Sequence, residues 1–300
     1  MKQPFVLFSI ICALLFVSCK SKYLGITSKS YNNTNINALP VEIYKMKNLK
    51  NLDLSENKLT SVSADLEQLQ QIDTLNLAVN QLKNLPLVVT KLKNLRILII
   101  ESNQINFIPV EIGTMTKLEE LHIGSTSYGS NPLKRLPPEI GNLTNLKALL
   151  LAATEIRELP ATIGNLYNIE LIQLEFNPIE TLPDEICKLS NLKYLGINNT
   201  QIESLPDCFG KLKKLTELRI QFAPIKNMPS SFSELSNLKY LSISSYQLKS
   251  LLKHSEILKG LEDLWIYNDK AGVSSADKSL LEQMLDPAKI KYLEYNPDWM

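Results

Sequence analysis

The residues that could carry out chemistry are few, and their spacing suits no common active site. The 300 residues include two histidines and four cysteines. His122 falls near Glu101 and Glu120, but a metal or catalytic centre needs more ligands than these, so we predict only a surface hydrogen bond. The sequence has no glycine-rich phosphate loop, serine nucleophile elbow or paired CxxC motif. We therefore predict that the protein is not an enzyme and holds neither a cofactor nor a metal.

The overall charge points to no particular partner. Lys plus Arg number 32 and Asp plus Glu number 31, while 44% of the residues are hydrophobic and 21% are charged. This composition is globular, and its balance gives no electrostatic reason to bind nucleic acid or an anionic membrane surface. We expect no nucleic-acid partner and a monomer.

The first 18 residues have the layout of a secretory signal peptide. A basic start at Lys2 precedes an apolar run from Phe5 to Val17, interrupted only by Ser9. As a helix this run would cover about 20 Å, short of the roughly 30 Å needed to cross a bilayer. The end of the run, Phe16 to Cys19, resembles the lipobox of bacterial lipoproteins, although that family usually has Leu or Val where Phe16 stands. The resemblance implies that Cys19 becomes an acylated N-terminus, and a soluble secreted protein is the alternative.

The rest of the chain repeats itself. Aligned segments begin at Leu49, Ile72, Leu95, Leu118, Leu146, Ile169, Leu192, Leu215, Leu238, Leu261 and Ile290, mostly 23 residues apart. Their shared pattern is LxxLxLxxNxIxxLPxxIxxLxx. It resembles the typical 23-residue leucine-rich-repeat family, closest to its LPxxIGxL-rich members, over about residues 36–295. The resemblance implies an α/β solenoid of about ten repeats plus caps, with a concave parallel sheet and short convex helices.

The physical properties of the pattern agree with that fold. LxxLxL alternates apolar and polar residues, as a strand with one buried face does, and LPxxIxxL has helical spacing after a proline. One repeat cannot bury its own apolar face, so stacking must make the core. We expect a lipid-anchored tether over residues 19–35 and a repeat domain over residues 36–300. Its caps are a strandless half-repeat before Leu49 and a helix after Ser274 followed by a strand from Ile290 to Tyr295.

Two polar rows follow the repeat. The ninth position carries Asn57, Asn80, Asn103, Asn131 and Asn177, whose amides can bond to the backbone of adjacent turns, and then thins to Thr154, Thr200 and Ala223. The second position alternates in sign through most of the stack, from Lys50 and Asp73 to Glu262 and Lys291. Opposite charges on neighbouring strands would contribute roughly 0.2–1 kcal/mol per pair. We assign this second row to strand register and not to binding.

The third, fifth and seventh positions should face a partner, which usually lies on the concave face in this family. They carry one cation, Arg219, against seven acids: Asp53, Glu101, Glu120, Glu175, Glu217, Asp263 and Glu294. An apolar group lies in the middle at Ile97, Ile99, Ala148, Leu150 and Ala152. An aromatic group lies toward the C-terminus at Tyr194, Tyr240, Trp265, Tyr267 and Tyr292, flanked by Phe176 and Phe222. Exposed aromatic clusters commonly mark interfaces, although packing under the C-terminal cap is an alternative for Trp265 and Tyr267. The acids could equally serve only solubility.

Two further features bear on the site. Five extra residues fall within Gly124–Ser130, beside the concave edge, where Tyr128 is the candidate contact and a tolerated surface insertion is the alternative. Cys187 and Cys208 lie in successive repeats, at the nineteenth and seventeenth positions. Adjacent coils could bring them within the ~7 Å limit for a disulfide, and export would preserve the bond. Two free thiols are the alternative.

These features together favour a bacterial envelope protein that binds a protein or peptide on its concave face. The candidate binding residues are Phe176, Tyr194, Arg219, Phe222, Tyr240, Trp265, Tyr267, Tyr128, Leu150, Glu175 and Glu217. A glycan-binding surface adhesin is the alternative, because aromatic rings near the polar side chains of Gln173, Asn198 and Gln221 would also suit sugars.

Overall fold

One parallel sheet organises the computed structural model, which describes residues 28–126, 131–268 and 272–294. It has twelve strands in sequence order. Leu52, Leu75 and Leu98 stand side by side on successive strands, because each repeat returns the chain to the same register. The strands are β1 Ser28–Ser30, β2 Asn51–Asp53, β3 Thr74–Asn76, β4 Ile97–Ile99, β5 Glu120–Gly124, β6 Ala148–Leu151, β7 Leu171–Gln173, β8 Tyr194–Gly196, β9 Glu217–Arg219, β10 Tyr240–Ser244, β11 Asp263–Asn268 and β12 Ile290–Glu294.

The LPxxIxxL segments form short 3-10 helices between the strands. Prolines such as Pro109 and Pro183 precede them with φ near −70°, which the pyrrolidine ring imposes. Each helix buries its central apolar residue, for example Ile186, against the core. These helices are Val41–Lys45, Ala64–Gln68, Val89–Lys91, Val110–Thr114, Pro138–Asn142, Ala161–Asn165, Asp184–Lys188, Phe209–Lys211 and Ser230–Glu234. The predicted leucine-rich-repeat solenoid is therefore confirmed.

The core lies between the sheet and the 3-10 helices, and the predicted asparagine row runs through it. The side-chain nitrogen of Asn80 donates to the carbonyls of Leu54 and Leu77 at 3.0 and 3.1 Å, and its Oδ1 accepts from Leu59 N–H at 2.9 Å. Each amide thus satisfies backbone groups that the turns leave unpaired inside the core. At Thr154 and Thr200 a hydroxyl makes part of these bonds, so the row continues in weakened form.

Part of the second-position row forms ion pairs, but Asp73 Oδ1 has no hydrogen-bond partner among the described residues and Lys291 approaches Asp263 instead of Glu262. Glu119 is shared between Arg96 at 2.5 Å and Lys147 at 2.8 Å. Lys193 pairs with Glu170 at 2.9 Å, and Lys239 pairs with Glu262 at 2.6 Å. The pairs are partly exposed, so each contributes little to stability. Their geometry agrees with the predicted role in strand register.

After β10 the segments between the strands are longer and include α-helices. The chain continues into a 3-10 turn, Ser245–Gln247, and two short α-helices, α1 Leu248–Leu251 and α2 Ser255–Gly260, with Leu252–His254 between them. The predicted helix after Ser274 is α3, Ser275–Met284, and the Ser274 hydroxyl accepts from Asp277 N–H at 3.1 Å as its N-cap. A last 3-10 turn, Pro287–Lys289, leads into β12. None of the helices in the described ranges is long and apolar enough to cross a membrane.

Both ends of the sheet differ from the sequence-based prediction. At the N-terminal end, β1 pairs with β2 and lies inside the segment predicted as a tether, so the sheet begins at Ser28 instead of Asn51. At the C-terminal end, Ile290 aligns with Leu264, the fourth position of its repeat, and not with the first position. The intervening α3 breaks the 23-residue period, so the repeat no longer sets the register.

This register places the β12 side chains on faces opposite to those predicted. Lys291 stands beside Trp265 on the face away from the core and approaches Asp263 at 4.0 Å. Tyr292 packs against the core with Lys278 of α3 over its ring, at 5.1 Å from the centroid. The assignment of Tyr292 and Glu294 to the binding face was therefore wrong, because an odd shift in a period-two strand exchanges its faces.

Candidate functional site

The sheet face that points away from the core, here called the open face, carries the third, fifth and seventh residues of each repeat. In β2 to β4 the third and fifth residues are half-buried, whereas in β7 to β9 several of these residues are buried. Tyr194 is 8% exposed, Glu217 6% and Glu175 2%. The prediction that these three residues are exposed contacts was wrong, because they are buried against one another within the face.

A glycine makes this burial possible. Gly196 occupies the fifth position between Gln173 and Arg219 on the neighbouring strands. A Cβ atom at Gly196 would lie 1.9 Å from Glu175 Oε1 and 2.9 Å from the Tyr194 hydroxyl. Glu175 therefore reaches across β8 through space that any other residue would fill. The sequence analysis missed Gly196, although the repeat alignment shows a position without a side chain there.

The resulting network holds two carboxylates and one guanidinium. The Tyr194 hydroxyl donates to Glu175 Oε1 at 2.7 Å. Arg219 pairs with Glu217 at 2.6 Å, and its guanidinium lies 5.7 Å from the centroid of the Tyr194 ring. Burial raises the pKa of Glu175 and outweighs the opposing effects of the tyrosine hydrogen bond and Arg219. Burial and the negative charge of Glu175 also raise the pKa of Tyr194.

Three neighbouring side chains of this region hold oxygens without a partner. Glu175, Asn198 and Gln221 occupy the seventh positions of successive repeats, and all three are buried. Glu175 Oε2, Asn198 Oδ1 and Gln221 Oε1 lack a hydrogen-bond partner within the described part of the chain. Buried acceptors of this kind each cost about 1–3 kcal/mol, so they are uncommon without a reason. We call these three residues the acceptor row.

An open cavity lies beyond the ends of β7 to β9, and none of the three residues of the acceptor row lines it. It measures about 500 Å³, and Phe176 and Phe222 line it together with Asn199, which lies between them in the stack. These three residues have φ of 57°, 60° and 54°, in the left-handed region. The eighth residues of other repeats, such as Glu56 and Val79, share this conformation, so it belongs to the turn after each strand and does not mark a site. The structure thus brings Phe176 and Phe222 to one cavity, and Asn199 is a lining residue that the sequence analysis missed.

The remaining aromatic candidates form a second group next to it. Tyr240 and Trp265 stack with their centroids 6.0 Å apart, and Tyr267 meets Phe222 edge-on at 5.5 Å. The Tyr240 hydroxyl donates to Glu262 at 2.6 Å, and this bond raises the pKa of Tyr240 to about 12. All four rings remain partly exposed. The group can therefore contact a partner while it is held by its own contacts.

His122 has a buried site of its own. It is 3% exposed, with Nε2 at 3.1 Å from Glu120 and Nδ1 at 3.5 Å from Glu101. The predicted surface hydrogen bond is therefore a buried one. Burial alone would lower the pKa of His122, but the hydrogen bonds to the two carboxylates outweigh it and raise the pKa. No group of three or more His, Cys, Asp or Glu within the described ranges is arranged to hold a metal ion.

The other candidates are separate from this region. Leu150 and Ala152 are buried, whereas Ile97, Ile99 and Ala148 are half-buried, so the middle apolar group offers little free surface. Tyr128 and Cys19 lie outside the described residues. The Cα atoms of Cys187 and Cys208 are 5.9 Å apart, and the two residues form a disulfide between successive 3-10 segments.

Comparisons with known proteins agree with the observed repeats. A family model described as a leucine-rich repeat region matches residues 182–296, and a second, described as leucine rich repeat, matches residues 32–82. The chain is similar to a leucine-rich-repeat protein of Leptospira interrogans, with 29% identity and a TM-score of 0.73 over 85% of this chain and 63% of that one. The chain therefore spans less than two thirds of that protein's length. No curated protein matches its sequence.

Two further solved structures show the same fold at lower identity. One is described as a TDR receptor, with 23% identity and a TM-score of 0.56 over 85% of this chain and 51% of that one. The other is an internalin of Listeria monocytogenes, InlF, with 19% identity and a TM-score of 0.53 over 91% of this chain and 87% of that one. At these identities the similarity concerns the fold alone.

Proposed function

We propose that this leucine-rich-repeat protein is a scaffold that binds a protein or peptide on the open face of β7 to β11. Leucine-rich repeats are generally protein-binding scaffolds, and the fold is typically non-catalytic. The observation that carries the proposal is the cluster of partly exposed rings of Tyr240, Trp265 and Tyr267. Exposed aromatic side chains of this kind suit a protein partner, because tyrosine and tryptophan carry much of the binding energy at interfaces.

We further propose that the protein is exported and held in the bacterial envelope through lipid on Cys19. Support comes from the apolar run before Ser18 and from the resemblance of Phe16 to Cys19 to a lipobox. Several acyl chains would anchor the protein stably, where one would not. Metabolic labelling with a tagged fatty acid should mark the wild type and not Cys19→Ala. Continued labelling of Cys19→Ala would contradict the proposal.

Photo-crosslinking in intact cells tests the binding face. We would place p-benzoylphenylalanine at Tyr240 on the open face and, as a control, at Tyr167, an aromatic residue that is 57% exposed and follows a 3-10 helix on the opposite side. We expect a discrete protein adduct from the Tyr240 position and none from the Tyr167 position. The same adduct from both positions, or none from either, would exclude the open face as the interface.

A glycan-binding adhesin is the second candidate, favoured by the stacked pair of Tyr240 and Trp265. Aromatic faces next to a carboxylate such as Glu262 would also suit pyranose rings. Soluble sugars added during crosslinking separate the two functions. Loss of the Tyr240 adduct in the presence of a sugar would favour the glycan function, and an unchanged adduct would favour the protein partner.

A further inference from the structure

We infer that the partner presents a proline-rich segment in the polyproline II conformation, whose prolines pack on Phe176 and Phe222 while the residues between them cross Asn199. The inference rests on the proposed protein-binding function and names the chemistry of the partner. All three residues line one open cavity of about 500 Å³. The Phe222 ring also meets Tyr267 edge-on, with the centroids 5.5 Å apart, so the cavity adjoins the aromatic cluster of the open face.

The spacing of the two phenylalanines matches the period of a polyproline II helix. Phe176 and Phe222 hold the eighth position two repeats apart, with Asn199 on the turn between them. Backbone hydrogen bonds keep these turns at the spacing of the sheet, because Phe176 N–H donates to the Asn198 carbonyl and Asn199 N–H to the Gln221 carbonyl, each at 3.1 Å. Two strand spacings set the phenylalanine backbones about 9.6 Å apart. Prolines three residues apart in a polyproline II helix stand about 9.3 Å apart on one side of it, so a Pro-x-x-Pro segment along the stack meets both rings.

The polarity of the cavity also suits such a segment. None of its seven lining residues is charged, and Phe176, Pro178 and Phe222 supply its apolar part. Asn199 is half-buried and Gln201 is exposed, so both side-chain amides can reach a ligand. Proline has no backbone N–H and a polyproline II segment has no internal hydrogen bonds, so its carbonyls are acceptors to which the amide nitrogens can donate. An extended segment of this kind is already ordered before it binds, and aromatic-lined grooves commonly recognise it.

Two fluorescein-labelled peptides of the same composition provide the probe. In Pro-Ala-Ala-Pro-Ala-Ala-Pro the prolines recur at every third residue. In Pro-Ala-Pro-Ala-Pro-Ala-Ala no two prolines are three residues apart. Fluorescence anisotropy with the full mature chain would measure both affinities.

Asn199→Phe is the sharpest variant, because it fills the space between the two rings and removes the amide while it adds apolar surface. Phe176 and Phe222 hold the same turn with φ of 57° and 60°, close to the 54° of Asn199, so a phenylalanine is compatible with this backbone. Phe176→Ala removes one of the two ring contacts. Val79→Ala is the matched control, because Val79 holds the eighth position with φ of 54° in a repeat that does not line the cavity. Circular dichroism would confirm that each variant is folded.

We expect the first peptide to bind the wild type with a Kd on the order of 100 μM, and the second to bind at least about tenfold more weakly because its prolines cannot meet both rings at once. Asn199→Phe and Phe176→Ala should each weaken binding of the first peptide by about tenfold, and Val79→Ala should leave it unchanged.

Three results would overturn the inference: equal binding of the two peptides, no binding at about 1 mM, or an equal loss in Val79→Ala. Binding by Asn199→Phe that is as tight as that of the wild type or tighter would overturn it too, since a patch that is merely apolar would gain from the added ring. A crosslink from the Tyr240 position that persists in Asn199→Phe, with both peptides inactive, would leave the proposed function standing alone.

Discussion

Asn177 anchors the buried amide row directly beneath the candidate site, so its removal tests how the site is supported. The amide makes five hydrogen bonds: its nitrogen donates to the carbonyls of Leu151, Leu174 and Glu175, and its oxygen accepts from Ile156 N–H and the Thr154 hydroxyl. Replacement by alanine removes all five. The perturbation is local because a solenoid transmits contacts only between neighbouring repeats.

The cost follows from which backbone groups lose their last partner. The Leu151 carbonyl keeps the Thr154 hydroxyl at 3.0 Å, and the Glu175 carbonyl keeps Ala153 N–H at 2.7 Å. Ile156 N–H and the Leu174 carbonyl each lose their hydrogen bond to the Asn177 side chain, and none of the hydrogen bonds described above replaces it. Two unsatisfied buried groups at about 1–3 kcal/mol each give a loss of roughly 4 kcal/mol for Asn177→Ala.

Thr200→Ala is the matched control, because Thr200 holds the same repeat position one coil further on. It loses one hydrogen bond, to the Ile197 carbonyl at 2.7 Å, and should cost about 1 kcal/mol. Urea unfolding followed by circular dichroism measures both losses. Hydrogen exchange should show lost protection at Ile156 N–H and retained protection at Leu59 N–H, which Asn80 holds at 2.9 Å. If Asn177→Ala is no less stable than Thr200→Ala, the reasoning is refuted.

Three other variants give independent checks. His122 has a raised folded pKa, so its charge stabilises the fold fully below about pH 6.5, and this contribution disappears as the pH rises through the folded pKa. Urea unfolding should therefore show His122→Gln losing most relative to wild type at low pH, and a pH-independent difference would refute the charged state. Replacing both Cys187 and Cys208 by alanine should cost roughly 3 kcal/mol for a loop of this size, and a count of two free thiols besides Cys19 in the denatured mature protein before reduction would disprove the disulfide. Tyr240→Ala should weaken capture of the crosslinked partner by at least about 1 kcal/mol, whereas Lys239→Ala should barely change it, and equal losses would argue against the aromatic contact.

The repeating sequence determined the architecture by itself. Leucine and isoleucine recur at the same seven positions, and a chain can bury such a set only by stacking identical turns. The asparagine row, the alternating second position and the Ser274 cap are equally local, because each depends on spacing along the chain. These features were therefore predicted correctly, down to the helix that begins at Ser275.

The contents of the open face were decided only in three dimensions. Glu175 and Tyr194 become buried because Gly196 of β8 leaves space beside them. The repeat pattern describes each strand separately and therefore does not predict the space between side chains of neighbouring strands. Tyr292 turns inward because α3 interrupts the period. β1 lies 23 residues before β2 and keeps the period, but Lys29 stands where the later strands carry leucine or isoleucine, so the pattern did not indicate a strand there. Periodicity specifies which residues form the core, whereas contacts between neighbouring coils specify which polar side chains remain available to a partner.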